Sequence, residues 1–158
     1  MGLREPAAEE RTLDNLGFAR FGETMLLVEN KRNPSPSEWS IWSHAYGRAT
    51  TQHNVRSLLV VSEGGGPNAV QRREVVEALL RGTGTDVADT FRTAVCSDAP
   101  IARFISAAIG WLYANRGMSV FPYDQRREGL LYLGVEEARH PEILNTIRRL
   151  QAGLRPPS

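Results

Sequence analysis

Cysteine and lysine are nearly absent from this chain, and each scarcity excludes something. The single cysteine, Cys96, has no partner with which to close an intramolecular disulfide, so nothing in the fold depends on an oxidising compartment. One cysteine and three scattered histidines, His44, His53 and His140, give no ligand pair at finger or helical spacing, and no metal is expected. Lys31 is the only lysine, so the positive charge is carried by arginine. Net charge is also missing: 19 Lys+Arg against 18 Asp+Glu leaves no global field to gather nucleic acid or an acidic membrane. No apolar stretch approaches the length of a membrane span, and the first eleven residues lack the apolar run of a signal peptide. A cytoplasmic protein, with no membrane insertion and no nucleic-acid partner, is the expectation.

What is there reads as one α/β domain over 14–154, with 1–13 and 155–158 expected to fray. The first firm strand is Thr24-Met25-Leu26-Leu27-Val28-Glu29, preceded by a short edge piece around Phe18 to Phe21. Ser35-Pro36-Ser37-Glu38 has the form of a capping box, and the helix after it sets Trp39, Trp42 and Tyr46 on one inward stripe beside Ala45 and Ala49. Leu58-Leu59-Val60-Val61 is apolar without alternation, the pattern of a strand covered on both faces and therefore central. After the break Glu63-Gly64-Gly65-Gly66-Pro67, a second helix is expected over 68–81, stopped by Gly82. A strand over 91–96 follows, then Asp98 as cap of a helix that stops near Gly117. Met118 to Phe121 forms another strand, Asp124 caps a helix ending at Gly134, and His140-Pro141 opens the last helix. Four to five strands alternating with helices imply a mixed, mostly parallel sheet with flanking helices.

The stretch 24–134 resembles the STAS domain, the family of sulphate transporters and anti-sigma-factor antagonists. Phe91-Arg92-Thr93-Ala94-Val95-Cys96-Ser97-Asp98 with the helix from Pro100 is similar to that family's penultimate strand and helix. Met118-Ser119-Val120-Phe121-Pro122-Tyr123-Asp124, followed by a helix with Leu130, Leu131 and Leu133, is similar to its last strand, turn and helix. The resemblance implies a regulatory or adaptor module that docks a protein partner. Bacterial antagonists of the family carry a phosphorylatable serine at the start of the second helix. Here that stretch reads Gly64-Gly65-Gly66-Pro67-Asn68-Ala69 and holds no hydroxyl, so the phosphoserine switch is not expected.

Two sets of residues are candidate sites. Ser62, Gly64, Gly65, Gly66 and Asn68 join a strand end to a helix start, where backbone amides and a helix dipole suit phosphate or a nucleotide. The loop lacks the Lys-Ser/Thr ending of a P-loop and the glycine spacing of a dinucleotide fingerprint, and Glu63 would repel an anion. A plain glycine turn is the competing reading. The second set is a partner surface: Trp111 or Tyr113 leaning outward if the adjacent Leu112 faces the sheet, with Arg72 and Arg73 on the second helix. No catalytic residues and no cofactor are assigned. Cys96-Ser97-Asp98 lies at a strand end, but no histidine stands in a recognisable catalytic context, and a buried cysteine beside a helix cap explains the trio.

Overall fold

Three features of the sequence locate α1 before any tertiary contact is considered. Ser35 accepts the amide of Glu38 through its hydroxyl, Glu38 accepts the amide of Ser35 in return, and Pro36 supplies the first helical residue. The computed structural model, which describes residues 8–65, 91–99 and 117–156, places this helix at Pro36–Gln52. Glu38 is used twice, because its carboxylate also accepts the backbone amide of Asn15 at 2.7 Å and the Asn15 side chain at 2.9 Å. The local cap is thus tied to a turn 23 residues earlier in the chain.

Among the described residues six strands form one sheet whose spatial order is the chain order: β1 Ala8–Thr12, β2 Leu16–Phe21, β3 Thr24–Glu29, β4 Ser57–Ser62, β5 Arg92–Cys96 and β6 Met118–Phe121. The first two pairings are antiparallel and the last three parallel, so β2 alone runs against the other five strands. The apolar run Leu58 to Val61 lies inside β4, hydrogen-bonded to parallel neighbours on both sides, as its lack of alternation requires.

Alternation along β3 sorts the core into two layers. Met25 and Leu27 face α1, where Trp39, Trp42, Tyr46 and Ala49 close over Leu16, Phe18 and Leu58. Aromatic rings run through this layer from Phe18 to Trp42 to Tyr46 to Phe91, with successive centroids 5.6, 5.1 and 6.1 Å apart. Leu26 and Val28 face the opposite side and meet α2 Arg126–Leu133 and α3 His140–Gly153 through Leu130, Ile143, Ile147 and Leu150. A short 3-10 turn, Glu137–Arg139, links those two helices, and Gly134 ends α2 in the left-handed conformation at φ 78°.

Several expectations need correction. Among the described residues the sheet already has six strands, beyond the expected four to five, and β2 is a full strand that pairs with all of β3. Part of the segment expected to fray, Ala8–Thr12, is a strand; its charged sequence is held by Arg149 of α3, which donates from Nε and Nη2 to Glu10 at 3.0 and 2.6 Å. At the other end Arg155 donates its amide to the Asp14 carbonyl at 2.7 Å. Asp124 does not cap α2. Gln125 closes a turn onto the Pro122 carbonyl and occupies the cap position, leaving Asp124 one residue too early. The helices expected over 68–81 and from Pro100 lie outside the described residues.

Asn30, buried just after β3, connects distant parts of this frame. Its side-chain amide donates to Asn15 Oδ1 at 3.1 Å and to the Arg155 carbonyl at 3.2 Å, while its Oδ1 accepts the Arg32 amide at 2.9 Å.

Candidate functional site

The parallel arrangement brings the carboxyl ends of β3 to β6 to one edge, the side on which open α/β sheets hold ligands. Glu29 and Asn30 leave β3 there, Ser62 to Gly65 leave β4, Ser97 and Asp98 leave β5, and Tyr123 follows β6. Of the residues expected to bind a ligand, Ser62, Gly64 and Gly65 lie at this edge. Gly66 and Asn68 lie outside the described residues, as do Arg72, Arg73, Trp111 and Tyr113.

The described part of the glycine loop is closed upon itself. Glu63 donates its amide to the Glu29 carbonyl at 3.1 Å, and Gly65 donates its own to the Asn30 carbonyl at 2.9 Å. The Gly64 amide donates to Ser62 Oγ, and the Ser62 hydroxyl donates to the Gly65 carbonyl, both at 3.2 Å. Three successive amides therefore have internal acceptors, and Ser62 is buried with its hydroxyl engaged. An anion cradle needs amides turned outward. The two glycines have different reasons for being glycine. Gly64 sits at φ +123°, whereas a Cβ on Gly65 would collide with the carbonyl oxygens of Asn30 and Arg32.

Beside this loop is a group that the sequence reading did not single out. Glu29 pairs in register with Ser62 and is only 4% exposed, and its Oε2 has no hydrogen-bond partner among the described residues. Burial away from water pushes its carboxyl up to about 7. Glu38 shows the opposite outcome. Burial pushes its carboxyl up too, but hydrogen bonds from the backbones and side chains of Asn15 and Ser35 outweigh that and hold it below the usual range. The sequence signal for Glu29 was slight: a charged residue closing an apolar strand, which reads equally well as a solvated strand end.

A second polar cluster lies further along the same edge. Tyr123 accepts from the Gln151 side chain at 2.6 Å, donates its amide to Asp98 Oδ1 at 3.0 Å, and has the Arg126 guanidinium 4.8 Å from its ring centroid. Burial and the nearby Glu63 raise its hydroxyl pKa. Asp98 thus holds the turn after β6, while Ser97 Oγ accepts the amide of Ala99.

Cys96 is fully buried, with burial pushing its thiol up to about 12, so the thiolate needed for nucleophilic attack is scarce at neutral pH. Its Sγ points to the Gln125 carbonyl at 3.7 Å. His140 is buried against the Val135 carbonyl, and His44 is exposed with its ring bonded to the Ser40 carbonyl. No group of three metal-ligating side chains occurs among the described residues, and no helix among them is long and apolar enough to cross a membrane.

Among the described residues one large apolar side chain stands out on the surface. Leu131, on the outer side of α2, is 55% exposed. Next to it, Tyr132 packs on Phe121 and lies 5.7 Å beneath the Arg92 guanidinium.

No family model matches the sequence, and no curated protein matches it significantly. Among solved structures, the chain is similar to an uncharacterised protein of the DUF3478 family with a SpoIIAA-like fold, from Shewanella loihica PV-4. The two are 13% identical, with a TM-score of 0.51 over 78% of this chain and 97% of the other. The fold is accordingly SpoIIAA-like, in agreement with the STAS resemblance of the sequence.

Proposed function

We propose that this chain is a non-enzymatic regulatory or adaptor module that docks a protein partner without a phosphoserine switch. The observation that carries this reading is the outer face of α2 on a SpoIIAA-like sheet. There Leu131 stands exposed next to Tyr132, whose ring lies beneath the Arg92 guanidinium. Exposed apolar anchors flanked by aromatic and arginine side chains are the composition that protein interfaces favour. The absence of the switch is supported by Ser62, whose hydroxyl is buried within its own loop.

Leu131→Glu adds charge at an exposed position and leaves the core untouched, so its circular dichroism and melting temperature should match the parent chain. A partner captured by the parent and lost by this variant supports the docking reading. Trp111→Ala and the pair Arg72→Glu, Arg73→Glu test the surface expected from sequence in the same assay. Equal capture by all of these variants, or turnover by the purified chain in a substrate screen, would overturn the proposal.

A further inference from the structure

We infer that Glu29 is a protonation switch for the carboxyl edge of the sheet: while its side chain is neutral the loop Ser62 to Gly65 stays latched to residues 29–32, and ionisation opens the latch. The inference does not depend on the docking reading.

The latch consists of the bonds already described. Glu63 and Gly65 donate their amides to the carbonyls of Glu29 and Asn30, and the Ser62 hydroxyl bridges the Gly64 amide and the Gly65 carbonyl. In this state each of these loop donors is engaged by another acceptor, and the buried Oε2 of Glu29 has no partner among the described residues. A neutral acid tolerates such a site, but a carboxylate without donors does not.

Charges on the described residues around it offer no relief. Glu38 at the start of α1 carries the same sign and is engaged by Asn15 and Ser35. Asp14, ahead of β2, pairs with Arg155. Arg20 of β2 reaches the Gly22 carbonyl at the other end of the strand. Glu63 is exposed and meets the Tyr123 hydroxyl, Lys31 is exposed, and Tyr46 of α1 is buried and protonated. Arg32 lies beyond the strand end, and none of the described salt bridges involves Glu29.

The nearest remedy is Ser62, which is in register with Glu29 on the neighbouring parallel strand and therefore projects from the same face. On loss of the Glu29 proton to water, the Ser62 hydroxyl turns from the Gly65 carbonyl to the new carboxylate. That removes one side of the latch, and water entering the opened loop solvates the charge. Burial holds the Glu29 proton to about pH 7, so the change falls in the physiological range.

The test uses the whole chain labelled with carbon-13 at glutamate side chains. The Glu29 carboxyl carbon should titrate with a midpoint near 7, as its burial requires; a midpoint in the ordinary glutamate range would refute the switch. Amide exchange at Glu63, Gly64 and Gly65, corrected for intrinsic rates, should lose about tenfold protection between about pH 6 and pH 8 in the parent chain. In Glu29→Gln it should stay constant. The same loss in Glu29→Gln, or no loss in the parent, overturns the inference. Should Glu29→Gln fail to fold, the parent alone decides: loop amide shifts must follow the Glu29 midpoint, and silence through its titration sinks the idea.

Discussion

Glu29 and Ser62 stand side by side in register at the ends of two parallel strands, both buried, yet only the serine has its polar group satisfied. This asymmetry sets the pH response of the molecule. A carboxyl pKa raised from 4.5 to about 7 contributes stability that is complete below 4.5 and lost as pH climbs through 7. Glu29→Gln should therefore match the parent near pH 4.5 and exceed it at alkaline pH, by at most about 3 kcal/mol. Urea unfolding across the pH range measures this, and equal stability at alkaline pH would count against the burial argument.

Glu38 has the reverse sign. Its depressed carboxyl contributes stability present above the unfolded value and lost as pH falls through the folded one. Glu38→Gln should flatten the acid limb of the stability profile and leave the alkaline limb unchanged. Ser35→Ala should cost about 1 kcal/mol at neutral pH through loss of the N-cap bond.

Gly65→Ala should destabilise the chain by about 1–3 kcal/mol, since the added methyl meets rigid backbone at Asn30 and Arg32 and has no flexible side chain to displace. Gly134→Ala meets open space and should cost only the smaller strain of its positive φ. Comparing the two unfolding midpoints distinguishes close approach from backbone conformation as the reason for glycine. The same crowding makes Gly65 a poor position for testing ligand binding at the loop. Ser62→Ala is the better variant, because it removes a hydroxyl without adding bulk.

Cys96 should resist thiol reagents in the folded chain and react at one equivalent after denaturation, because it is fully buried and its thiol is held to about 12. Rapid modification of the native protein by an aromatic disulfide would contradict that environment.

How much was legible in the sequence depended on whether the signal was local. The α1 cap was legible because Ser35, Pro36 and Glu38 lie within one turn, and β4 because Leu58 to Val61 needs apolar cover on both sides. Strand β1 was not, since its charged residues make sense only against Arg149, 139 positions from Glu10. Asp124 misled because a cap depends on where the preceding turn closes, and that turn is set by the Pro122 carbonyl. The glycine loop announced flexibility, whereas packing turns its amides inward onto residues 29–30. Nothing local distinguishes the buried Glu29 from a solvated strand end; only the layers assembled around it do.

Asn30 gives the chain an indirect link between remote positions. Its side-chain amide grips the Arg155 carbonyl near one end of the described fold and Asn15 near the other, while its own carbonyl receives the Gly65 amide. Trimming the residues after Leu154 would therefore remove an acceptor 125 positions away from Asn30 and loosen the loop that Asn30 holds through the Gly65 amide.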